Sequence, residues 1–104
     1  MGKTGTLHEL TNILAKALRH KIGSMVNPDE IYAQKYARDA DVLLREAQKV
    51  AAKENWNSYD KIKLKQELRR KLHDELAKKD FLGSGKFELM EDEMNKTLKS
   101  MGLL

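Results

Sequence analysis

The sequence predicts an all-α protein, an up-and-down helical bundle of four helices, and three observations carry that reading. Apolar residues recur at helical spacing in four separate stretches. Helix-breaking signals at Asn27-Pro28, Asn55-Trp56-Asn57-Ser58 and Gly83-Ser84-Gly85 divide those stretches. A composition of 35% charged and 6% aromatic residues suits a surface-rich helical protein better than a β-sandwich. The predicted spans are about 7–25, 28–54, 58–82 and 86–101, the second and third forming a long antiparallel hairpin. Residues 1–6 are expected as a flexible N-terminal tail and 7–104 as a single domain, since 104 residues suffice for one core.

The first helix is expected to open at Thr6, with Glu9 at the spacing of a capping box, where each side chain satisfies a backbone N–H of the other. Leu7, Leu10, Leu14, Ala17, Leu18, Ile22 and Met25 then share one stripe, which Gly23 and Ser24 weaken. The second start is the strongest local signal: Asn27 as N-cap, Pro28 at the first helical position where its missing N–H costs nothing, and Glu30 at the third.

From Tyr32 to Glu54 the apolar residues of the second helix form two adjoining strips. One is bulky, with Tyr32, Tyr36, Leu43 and Val50; the other, Ala33, Ala37, Ala40, Leu44, Ala47 and Ala51, lets a neighbouring backbone come close. So broad a face would touch two helices at once and make this the central helix.

The third helix is expected to be capped by Asn57 or Ser58, with Asp60 near the positive end of its dipole. Ile62, Leu64, Leu68, Leu72 and Leu76 give its core stripe, running on to Phe81 and Leu82. Lys65 falls inside the leucine arc and Arg69 at its margin, so their stems are expected along the core edge with the charged heads in water. After the glycine joint, Phe87, Met90, Met94, Leu98 and Met101 lie within an arc of about 80°, narrow enough to seat the last helix in one groove before Gly102 caps it.

The absence of cysteine removes disulfides, thiolate chemistry and cysteine-ligated metals from consideration. His8, His20 and His73 fall on different segments without His-Glu-x-x-His spacing, so no metal site is expected. Gly83-Ser84-Gly85-Lys86 and Gly2-Lys3-Thr4 lack the strand and full spacing of a phosphate loop. No serine or threonine is paired with a base. The reading is of a protein that is not an enzyme and takes no cofactor. No apolar run reaches the roughly 20 residues of a membrane span, and with no cysteine the expectation is a soluble, intracellular protein, cytoplasmic or nuclear.

The function expected is that of a helical protein–protein interaction module, an adaptor or a small subunit of a larger assembly. Its partner is another protein bound by helix-in-groove packing, or a second copy in a homodimer. The candidate partner-binding residues are Phe87, Met90, Met94, Leu98 and Met101, because methionine adapts to irregular apolar surfaces, with Tyr32, Tyr36 and Trp56 as aromatic anchors.

The charge supplies an alternative. Of a net +4, residues 57–82 carry eight basic and five acidic groups, whereas 27–56 carry five and six. Lys61, Lys63, Arg69, Arg70 and Lys71 on the third helix are therefore the candidate nucleic-acid contacts, although they scatter around the helix where phosphate binding wants convergence. Met1-Gly2-Lys3-Thr4-Gly5-Thr6 also fits the pattern for acylation of Gly2, which would add a membrane as partner with Lys3, Lys16, Arg19 and Lys21 in support.

Overall fold

The computed structural model describes residues 2–27, 31–79 and 85–104, which form four helices: α1 (Lys3–Val26), α2 (Ala33–Ala51), α3 (Ser58–Ala77) and α4 (Gly85–Ser100). The all-α bundle is as expected. The molecule is 40 Å long and 22 Å across, close to the about 36 Å that 24 helical residues span, so α1 runs nearly its whole length.

Contacts between side chains set the helix directions. Lys3 meets Asp60, Lys71 meets Thr11 and Arg19 meets Glu75, so α1 and α3 run parallel. Thr6 bonds Glu54 and His20 stacks on Tyr36, so α2 runs antiparallel to α1. Arg69 meets Glu91 and His73 meets Phe87, so α4 returns antiparallel to α3. Up, down, up, down is therefore the order.

The centre of the bundle is α1, not α2. α1 packs on all three other helices, α3 and α4 pack on each other, and α2 packs closely on α1 alone. The hairpin expected between the second and third helices is thus replaced: they are consecutive and opposed, and each packs on α1 instead. The reason lies in how wide a face each helix buries. On α1, Thr6, Leu7, Leu10, Thr11, Leu14, Ala15, Ala17, Leu18 and Ile22 are buried, an arc of about half the circumference. On α2 the buried residues reduce to Ala33, Ala40, Ala47 and Val50, with Tyr36 and Leu43 half-buried between them. Their alternating spacing of three and four residues is the narrow seam by which one helix packs on one neighbour. Ala37 and Tyr32, expected in the broad face, are exposed.

The helix ends show further differences. α1 begins at Lys3 with Gly2 as N-cap and no side-chain cap, so Thr6 lies inside the helix and residues 3–6, read above as tail, form its first turn. Met25, at the far end of the apolar stripe, is exposed. Asn27 caps the C-terminus of α1, while Pro28 and Glu30 of the expected second N-cap lie outside the described residues. At α3 the capping box is present: Asp60 N–H donates to Asn57 Oδ1 at 2.8 Å and Asn57 N–H to Asp60 Oδ2 at 3.1 Å. Phe81, Leu82, Gly83 and Ser84 lie outside the described residues.

Gly102 ends α4 as expected. With φ of 72° it lets Gly102 N–H reach Lys99 C=O at 3.1 Å and Leu103 N–H reach Leu98 C=O at 2.8 Å. Both bonds belong to the paired left-handed cap that satisfies terminal carbonyls, with buried Leu103 folded back on Leu98. One core cluster contains Leu7, Leu10, Leu14, Leu18 and Ile22 from α1, Leu64, Leu68, Leu72 and Leu76 from α3, and Met90, Met94 and Leu98 from α4. α2 adds Ala47 and Val50.

Candidate functional site

The last helix is built into the core. Met94 and Leu98 are fully buried, Met90 nearly so, and Met101 packs half-buried against the same cluster. The buried side of α4 is wider than the apolar arc alone, because Lys86, Glu93 and Thr97 are buried beside it. The two charged ends are satisfied: Lys86 Nζ donates to the Lys79 carbonyl at 2.9 Å at the end of α3, and Glu93 meets Lys21 at 2.9 Å and Lys96 at 3.6 Å. A helix holding these bonds to α1 and α3 fills the groove between them. Phe87, at its start, remains 37% exposed beside His73, with ring centroids 5.1 Å apart and Lys86 Nζ 5.1 Å from its ring centroid.

The three expected anchors do not converge. Tyr32 is exposed before α2, and Tyr36 is half-buried in a tilted stack 5.6 Å from the His20 ring. Trp56 sits at the other end of α2, packed against the core with Nε1 donating to the Ala51 carbonyl at 2.9 Å. From Tyr36 to Ala51, whose carbonyl Trp56 bonds, is about 22 Å of helical rise, so one partner could not use Tyr36 and Trp56 as a single hot spot.

The α3 cations are largely engaged within the chain. Arg69 forms a two-pronged pair with Glu91, its second bond 3.3 Å long. Arg70 bonds Glu67 at 2.9 Å and lies 3.8 Å from Asp74. Lys71 reaches across to α1, donating to Thr11 Oγ1 at 2.7 Å, to His8 Nδ1 at 3.0 Å and to the His8 carbonyl at 3.2 Å. Burial pushes the Lys71 ammonium below its ordinary range, while Glu91 and Glu67 are held below theirs by the hydrogen bonds from Arg69 and Arg70. Lys63 is exposed, and Lys61 lines an open cleft. Among the cations considered for membrane support, Lys3 bonds Asp60 at 2.7 Å, Arg19 bonds Glu75 at 2.9 Å and Lys21 bonds Glu93. Gly2 itself is exposed at the start of α1.

That cleft, about 410 Å³, lies where α2 ends and α3 begins, bordered by Gln48, Glu54, Trp56, Lys61, Met101 and Leu103. The histidines sit apart: His8 early and His20 late on α1, His73 late on α3. His20 is pushed below the ordinary histidine range by burial and then by the Arg19 charge, whose guanidinium donates to Nε2 at 3.1 Å. Among the described residues no group of three or more His, Asp or Glu side chains is placed to hold a metal ion, and no helix is long and apolar enough to cross a membrane.

No family model, curated protein or solved structure matches this chain.

Two outward rows escape the sequence reading above. On α3, Tyr59, Ile62, Gln66, Arg69 and His73 follow one another at alternating three- and four-residue spacing along the flank of the leucine stripe that borders α4, where Arg69 meets Glu91 and His73 meets Phe87. Tyr59 is 73% and Ile62 59% exposed, which corrects the placement of Ile62 in the core stripe. Ile62 stands about 160° around the helix from Leu64, so helical angle alone would have separated them. On α2, Lys35, Arg38, Val42, Arg45, Lys49 and Lys53 share an arc of about 80°, and all are exposed. The segment's charge, five basic against six acidic groups over 27–56, hid this row because summing along the chain discards angle.

Proposed function

We propose that this chain is a non-enzymatic helical protein–protein interaction module, an adaptor or small subunit of a larger assembly. Its partner lays an amphipathic helix along the outer row of α3. The observation that carries the reading is the exposure of Tyr59 and Ile62 at the head of that row. An aromatic and a β-branched side chain one helical turn apart are the kind of anchors that supply most of an interface's affinity once desolvated. The spacing of Tyr59, Ile62, Gln66, Arg69 and His73 is also the spacing at which a second helix can seat its own side chains. Phe87 extends the apolar surface beside His73. Arg69 already has its counter-ion in Glu91, so covering the row buries a neutralised pair and not a lone charge.

Because α4 completes the core, removing it would unfold the site along with any partner contact, and surface substitutions give the cleaner test. Affinity capture with the native chain beside the double variant Tyr59→Ala/Ile62→Lys should lose the same specific proteins, with the circular dichroism spectrum unchanged. Recovery of all of them by the variant would refute the assignment to α3. Light scattering at several concentrations identifies the case in which the partner is a second copy, since the variant would then abolish dimer.

A further inference from the structure

We propose that the outer face of α2 docks the phosphate backbone of a nucleic-acid duplex. Lys35, Arg38, Arg45 and Lys49 point away from the seam with α1 along one straight row, and Lys53, one residue past the C-cap, continues it. The row rises about 21 Å from Lys35 to Lys49. Among the described residues none of these five cations lies within 4.0 Å of a carboxylate, in contrast to Arg69 and Arg70 on α3. Asp39, Asp41 and Glu46 stand at the margins of the row and leave its centre to cations and Val42.

This arrangement works against the helix itself. Arg45 and Lys49 are like charges four residues apart on the helix, where they repel. A dense polyanion relieves that repulsion and also releases its condensed counter-ions, a gain that isolated carboxylates on a protein partner do not offer, since exposed ion pairs are worth little one by one. A bilayer surface would need apolar side chains to insert, and Val42 is the one apolar residue in the row. A single strand would want aromatic side chains on which to stack its bases, and the row has none. The rigid cation row fits a duplex.

The test is fluorescence anisotropy with the full chain and a labelled mixed-sequence DNA duplex over a salt series. With four to five phosphates neutralised, the logarithm of affinity should fall with the logarithm of salt with a slope of about −4. Arg45→Gln/Lys49→Gln, both exposed, should reduce the slope by about 2 and weaken binding at low salt, while Lys61→Gln/Lys63→Gln on α3 should leave both unchanged. Four results would each overturn the proposal: no binding at low salt, a slope indifferent to the α2 variant, loss of binding in the α3 variant instead, or tighter binding to single strands. Capture by phosphatidylserine vesicles with the same dependence on Arg45 and Lys49 would overturn it in favour of a membrane.

Discussion

Leu98→Ala tests whether the last helix belongs to the core. Leu98 is fully buried, and its carbonyl receives the Leu103 N–H that folds the chain end back over α4. The substitution removes three carbons, about 2.4 kcal/mol of transfer free energy at about 0.8 kcal/mol each. The remaining cavity raises the cost to about 3 kcal/mol, within the usual span for buried leucines. For a domain of this size that lowers the melting temperature by about 12–20 °C. Because Met94 and Leu98 share one cluster with the α1 and α3 leucines, the loss should be global and not confined to α4. Thermal and urea unfolding followed by far-UV circular dichroism and by fluorescence of Trp56, the single tryptophan, should therefore shift together. A shift below about 4 °C, under about 1 kcal/mol, or a separate early transition seen by circular dichroism alone, would refute the docked helix and restore α4 as a mobile binding element.

Three further outcomes follow from particular contacts. Gly102→Ala meets no neighbouring atom, so its cost is the left-handed backbone alone, about 1 kcal/mol, read as a lower urea midpoint with an unchanged slope. Lys21→Met leaves Glu93, 2% exposed, with only its longer contact to Lys96; it should destabilise by about 1–3 kcal/mol, most of which Lys21→Met/Glu93→Met recovers, because two apolar groups need no ion pair. His20 gives a pH dependence: burial and Arg19 depress its folded pKa, partly offset by Asp39 and Glu75, so below about pH 6.5 the unfolded chain binds the extra proton and stability falls with acidification. His20→Gln should flatten that fall in melting temperature between neutral and mildly acidic pH; an identical slope in the variant would refute the assignment.

The helices were legible because leucine ladders, the Asn57–Asp60 box and the Gly102 cap act locally, through bonds a few residues apart. The identity of the central helix was not, because it turns on residues whose type says little about burial. Alanine favours a helix whether or not it is covered, so the alanine row of α2 suggested more core than it forms; Ala37 faces solvent while Ala40 and Ala47 are buried. On α1 the face widens through Thr6 and Thr11, which an apolar count passes over, and through Ala15 beside them. Thr11 is acceptable inside because its hydroxyl donates to the Leu7 carbonyl at 2.9 Å and accepts from Lys71 at 2.7 Å. Lys71 was read as a phosphate ligand because sequence shows its charge but not that a hydroxyl and a carbonyl on another helix await it.

The position of α1 between its neighbours also decides how the two outer rows can be used. α2 and α3 each pack on α1 and not closely on each other, so the faces they turn outward lie on different sides of the bundle. A helix on Tyr59 and Ile62 and a duplex on Arg45 and Lys49 would then occupy separate surfaces, and sites on separate surfaces without shared partners should perturb each other little. Tyr59→Ala/Ile62→Lys should accordingly leave the salt slope for duplex binding unchanged. Arg45→Gln/Lys49→Gln should leave capture of the protein partner unchanged, and the quadruple variant should lose both in proportion to its parts. A quadruple variant whose duplex affinity departs several-fold from that sum would mean that the two rows form one continuous surface, and the separation imposed by α1 would be the wrong account of how this bundle presents its partners.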